Sequence, residues 1–228
     1  MITQACPVVA GNPVNQGKYT AYCPGLPGLG EYLDSLDGRY SGQTLALFAA
    51  AADLGAGMFK KHRKSGILTV WGEEAGLTGA LGRDQALRGS ECQALARRYG
   101  GRILADPEKT RDLFSYLGSK DKDGAMLFNE EGDLVGVGVF LNQPDIGAVN
   151  GQLPLAMRLC GKGHDEVGTK HLAALWSTRQ YPVQAVTASE SHRHTAMAMN
   201  EGKVVRDLVF DPLSGFHGSE LIDYLNIL

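Results

Sequence analysis

Long apolar runs are missing from this chain. The longest, Leu45 to Ala52, falls far short of the roughly 20 residues that a membrane-spanning helix needs. Strong charge imbalance is missing too: the formal net charge is -3, which argues against a mainly electrostatic nucleic-acid binder while leaving room for nucleotides, which need only a few well-placed cations. Cysteine is scarce, and Cys6, Cys23, Cys92 and Cys160 form no CxxC pair. That excludes zinc ribbons, thioredoxin-type chemistry and a disulfide framework, and suits reduced thiols in a cytoplasmic protein. Residues 1–10 carry no basic segment followed by an apolar core, so no signal peptide is expected there. Two phosphate-loop patterns also fail. Gly161-Lys162-Gly163-His164 lacks the GxxxxGK[ST] spacing, and Gly136-Val137-Gly138 lacks the third glycine of a dinucleotide fingerprint.

What is present is a hydrophobic fraction of 43% in 228 residues, enough for one sizeable core rather than two. Residues 1–40 are dense in proline and glycine and predict an irregular N-terminal extension; residues 41–228 predict one α/β domain, a central mixed β-sheet flanked by helices. Ser41 is the expected N-cap of a helix running to Lys61. A buried strand is expected at 66–72, a glycine-rich loop around Gly76, Gly79 and Gly82, and a helix from Asp84 to Tyr99 that stops at Gly100-Gly101. Arg102 to Ala105 predicts a short strand, and Pro107 to Leu117 a helix capped by Asp106. A hairpin at 125–141, turning at Glu130-Glu131-Gly132-Asp133, is expected in the middle of the sheet. A long loop at 142–165 follows, then a helix from Thr169 to about Arg179. Strands are expected at 183–188, near 196–199 and at 204–210, with a loop from Ser189 to His194 between the first two.

Three stretches concentrate polar and small residues in a chemically suggestive way: Asp123-Gly124-Ala125, Gly168-Thr169-Lys170-His171-Leu172-Ala173-Ala174, and Ser189-Glu190. A helix beginning at Thr169 offers unpaired backbone N–H groups and a positive dipole end, and Lys170 adds a point charge; together these suit a phosphate. A carboxylate at a tight turn entering a strand can hold a hard cation through oxygen. Singly, each has a plainer reading: a turn, a packed core histidine at His171, a polar strand end. His192 and His194 alternate without a clear third ligand and read as a polar edge. The weight lies in the three blocks occurring together and in order.

In that order, the blocks resemble the signature of the diadenylate cyclase family, whose corresponding motifs read approximately DGA, GTRHRAA and SE. Glu166, ahead of Gly168, is similar to the family pattern as well, and the resemblance spans roughly residues 40–210. It implies a domain that condenses two ATP into cyclic di-AMP and two pyrophosphates with Mg²⁺ or Mn²⁺. Two subunits would meet face to face, so that each 3′-hydroxyl attacks the other nucleotide's α-phosphate. By resemblance, Asp123 and Glu190 are the metal ligands, and Gly124, Ala125, Gly168, Thr169, Lys170 and Ser189 hold the nucleotide. Asp123, Lys170 and His171 form the catalytic set. The partners implied are ATP, cyclic di-AMP and a second copy of the chain, with no membrane and no nucleic acid.

One departure bears on activity. The family's Arg-His-Arg reads Lys170-His171-Leu172 here. Lysine keeps the charge but loses the planar fork, and leucine removes the charge. A missing charged hydrogen bond of roughly 1.5–3 kcal/mol corresponds to about 10- to 100-fold in rate. Arg193, just past Ser189-Glu190, is the expected replacement cation. The alternative reading is an ATP- or cyclic-dinucleotide-binding module on the same fold.

Overall fold

Strand β1 (Ile67–Gly72) is buried along nearly its whole length, as its Ile-Leu-Thr-Val core predicts for a strand covered on both faces. The computed structural model describes residues 17–38, 40–60, 66–119, 124–142, 169–188, 194–200, 203–209 and 221–223. Around β1 the sheet has seven strands in the order β3-β2-β1-β4-β5-β6-β7. These are β2 (Ala125–Phe128), β3 (Leu134–Val139), β4 (Val183–Ala188), β5 (His194–Asn200), β6 (Lys203–Val209) and β7 (Leu221–Asp223). Only the β1–β2 pair is parallel; every other pair is antiparallel. The architecture is therefore α/β with a mixed sheet, as expected. The hairpin β2–β3 forms, but at one edge of the sheet rather than in its middle, because β1 takes β4 as its second neighbour.

Side chains alternate across β1, β2 and β4, so two separate cores form. Ile67, Met126, Phe128, Val186 and Ala188 face one side, with α2 (Gly42–Lys60), α4 (Ser90–Tyr99) and α5 (Pro107–Ser119) packed there. Leu68, Val70, Leu127 and Ala185 face the other, beneath α3 (Glu74–Ala80) and α6 (Thr169–Gln180). The extension joins the first core. Pro27 opens α1 (Pro27–Asp34), and Tyr19, Tyr22, Leu26, Leu29, Leu33 and Leu36 are buried. The Tyr22 hydroxyl donates to the Leu104 carbonyl at 2.7 Å.

Local signals held where chemistry fixed them. Ser41 Oγ accepts from the Thr44 N–H at 3.1 Å, and Asp106 Oδ1 accepts from the N–H groups of Glu108 and Lys109 at 3.0 and 3.1 Å. Gly100 ends α4 at φ +73°. Three expectations are corrected. The glycine-rich stretch is mostly helix α3, because Gly76 and Gly79 let it press against Val183 and the Tyr181 ring; an added Cβ at Gly79 would sit 2.6 Å from that ring. The helix expected from Asp84 starts only at Ser90, since Asp84 and Arg88 adopt positive φ. The strand expected at 102–105 is instead a 3-10 turn, Ile103–Ala105, entered through a left-handed Arg102. The long loop at 142–165 lies outside the described residues from 143 onward. Among the described residues no helix is long and apolar enough to cross a membrane.

Candidate functional site

Register fixes which chain segments meet at each end of the sheet. At the start of β1, Leu68 pairs with Ala125, the first residue of β2, and Ile67 pairs with Ala188, the last residue of β4. The two flanking strands therefore run within about 10 Å of each other across β1, two strand spacings. Helix α6 begins at this same end: Lys170 Nζ donates to the carbonyl of Gly66, immediately before β1, at 2.7 Å. The described parts of two sequence blocks, Gly124-Ala125 and the start of α6, thus lie at one end of the sheet, where β4 also ends.

Gly124 leads into β2 with φ +90°, a conformation that favours glycine. A Cβ there would lie 2.6 Å from the Gly138 carbonyl carbon and 2.9 Å from its Cα and oxygen. Gly138 itself has φ +64°, and the β2–β3 register shifts between Ala125 and Leu127. The entry to β2 at Gly124-Ala125 is thus packed closely on an irregular partner strand. Ala125 is buried.

Thr169 is the first residue of α6, where backbone N–H groups lack intrahelical partners. Lys170 is half-buried and His171 is buried at 8% exposure, with Ala173, Ala174 and Leu175 following it into the core. Of the other residues singled out from sequence, Asp123, Glu166, Gly168, Ser189, Glu190, Arg193 and His192 lie outside the described residues; Leu172 falls within α6 and His194 opens β5. Both expected metal ligands, Asp123 and Glu190, belong to that set. Among the described residues no group of three or more His, Cys, Asp or Glu side chains could hold a metal ion.

One polar group at this end was not anticipated. Thr187, one residue short of the end of β4, is 1% exposed, and its hydroxyl has no hydrogen-bond partner. The available signal was a threonine inside the apolar run Val183 to Ala188, two residues before Ser189.

Two competing features are chemically quiet. Cys23 and Cys92 are free and buried. Burial, reinforced by Asp53 and Asp34, pushes the Cys23 thiol up to about 12, and burial raises Cys92 as well, so neither is an activated nucleophile. A cleft of about 500 Å³ lies beside Tyr99, Lys109, Arg111 and Asp112. Two of its charges are engaged, Asp112 with Arg98 at 4.0 Å and Lys109 with Asp106 at 3.9 Å, and Tyr99 donates to Asp112 at 3.3 Å.

No family model matches the chain, and no curated protein matches it. Among solved structures, it is similar to the crystal structure of a double mutant of DacA from Staphylococcus aureus. The identity is 19%, the match covers 71% of this chain and 86% of that one, and the TM-score is 0.40.

Proposed function

We propose that the chain is a diadenylate cyclase that condenses two ATP into cyclic di-AMP and two pyrophosphates. The observation that supports this most is that Gly124-Ala125, the start of α6 and the last residue of β4 lie at one sheet end, in a sequence whose three motif blocks follow the family's order. Phosphoryl transfer asks mainly for positioning and charge neutralisation, and the residues divide those tasks. The N–H groups of the α6 first turn and the Lys170 ammonium receive phosphate oxygens. The bond from Lys170 to the Gly66 carbonyl at 2.7 Å holds its positive charge at this end of the sheet. Gly124 lets the nucleotide approach the backbone closely. Asp123 and Glu190 supply hard oxygen ligands for Mg²⁺ or Mn²⁺, which when bound neutralises phosphate charge and acidifies the 3′-hydroxyl. The reaction needs two half-sites, so the active form is a dimer with the two sites face to face. We place the protein in the cytoplasm.

A second reading, a nucleotide-binding module on the same fold, is favoured by one observation. The family's two arginines are Lys170, anchored to a backbone carbonyl, and the uncharged Leu172. Incubation of the purified chain with ATP and Mn²⁺, followed by chromatography, separates the readings. Cyclic di-AMP that vanishes in Asp123→Asn is the expected result. Tight ATP binding with no product would leave the module, and no ATP binding at all would overturn both.

A further inference from the structure

Five threonines are buried among the described residues, and four of them have an evident partner. Thr44 bonds Gln184, Thr69 donates to the Val186 carbonyl at 3.0 Å, Thr110 to the Ile103 carbonyl at 2.7 Å, and Thr178 to the Leu175 carbonyl at 3.1 Å. Thr187 has none, a state its hydroxyl shares among the described residues with those of Thr20 and Ser177, which lie away from this end of the sheet. Leaving a buried hydroxyl unpaired is unfavourable, and such a group in a folded chain calls for a specific cause. Thr69 sharpens the contrast: it lies on the neighbouring strand, one pair further in, and resolves the same problem by bonding across to β4.

The position of Thr187 suggests the cause. Val183 and Ala185 face the core under α6, and Thr187 continues that alternation. Helix α6 packs on β4, and the two run antiparallel through the short turn at Tyr181 and Pro182. From Val183 to Thr187 the strand climbs about 13 Å, and α6 climbs that height from Gln180 by about His171. By that reckoning Thr187 lies toward the start of α6, one pair from the sheet end where Lys170 is anchored.

We propose that the Thr187 hydroxyl hydrogen-bonds a phosphoryl oxygen of the nucleotide received by the first turn of α6, which makes Thr187 a nucleotide-binding residue of this site. This rests on the nucleotide reading above. The ligand class follows from the charge around it: the positive dipole end of α6 and the Lys170 ammonium both select an anionic oxygen.

The test is calorimetric titration of the full chain with Mg²⁺-ATP, alongside thermal melting of the unliganded protein. Thr187→Val keeps the shape and removes the hydroxyl, and should weaken ATP binding about 10-fold or more, as expected for a hydrogen bond to a charged group. Its melting temperature without ligand should equal or exceed that of the wild type. Thr187→Ser, which restores the hydroxyl, should bind within about threefold of the wild type by the same reasoning. Unchanged affinity in Thr187→Val, equal losses in both variants, or a Thr187→Val chain that melts well below the wild type would each overturn the assignment. A wild type that binds no ATP is a separate result, visible before any variant is made, and removes the nucleotide reading together with this one.

Discussion

The two ends of the sheet are built on different terms. At the end where Trp71 pairs with Gln184, polar groups are joined to one another. The Trp71 indole N–H and the Ser41 hydroxyl each donate to Thr44 Oγ1 at 2.7 Å, and Thr44 in turn bonds the Gln184 side chain. One hydroxyl ties the start of α2 to β1 and β4. Nearby, Tyr19 donates to Asp37 at 2.8 Å. At the other end, where Leu68 meets Ala125, the backbone is bent through Gly124 and Gly138 at positive φ, and the Thr187 hydroxyl is unmet. A chain of side-chain hydrogen bonds marks the end that holds the fold together, although the buried Ser177 and Thr20 hydroxyls have no partner either. A backbone that only glycine fits and an unanswered hydroxyl mark the end where a ligand is proposed.

The largest effect expected from breaking this comparison comes from Gly124→Ala. The substitution forces a Cβ into a left-handed residue and against the Gly138 backbone at 2.6 Å. Backbone strain and overpacking together predict a loss of about 3 kcal/mol or more, read by urea unfolding. A variant as stable as the wild type would show that the kinked β2–β3 approach is not fixed by glycine.

Thr44→Val is the same chemical edit as Thr187→Val, made at the opposite end, and should have the opposite result. It strands the Trp71 indole N–H and the Gln184 side chain, so a loss of about 2 kcal/mol is expected, with nucleotide affinity unchanged. Equal behaviour of the two valine variants would erase the distinction between the ends.

The sequence made the framework legible where one residue fixes local geometry. Ser41, Asp106 and Gly100 each cap a helix end as their chemistry requires, and the Glu130 to Asp133 turn forces the hairpin. It failed where tertiary packing decides. Gly76 and Gly79 look like loop residues, yet they are what lets α3 lie against Tyr181 and Val183. In the extension, proline and glycine masked the helical spacing of Leu26, Leu29, Leu33 and Leu36, which are all buried. At the site, the motif blocks could be read in one dimension, but the approach of Gly124-Ala125 to the end of β4 depends on β1 lying between β2 and β4, a long-range pairing with no local signature. Thr187 was missed for the same reason. A threonine in a strand is unremarkable until its neighbours are known and none of them answers its hydroxyl.

The smallest effect concerns pH at the well-bonded end. Burial, and then the hydrogen bond to Asp37, push the Tyr19 phenol up to about 12, whereas an unfolded tyrosine titrates near 10. Between those values the unfolded chain has lost a proton that the folded chain still holds. Stability therefore falls as pH rises, and the contribution is complete below about pH 10 and gone above about 12. Lys18, raised mainly through its hydrogen bonding with Tyr19 and Asp37, shifts stability in the same direction, so the tyrosine must be isolated by substitution. Tyr19→Phe should cost about 1 kcal/mol at neutral pH, the usual value of one hydrogen bond. The gap between the wild-type and variant melting temperatures should then close as pH is raised from 9 toward 12. A gap that stays constant across that range would mean the phenol titrates normally in the folded chain, and that the Tyr19–Asp37 contact contributes little to holding this end together.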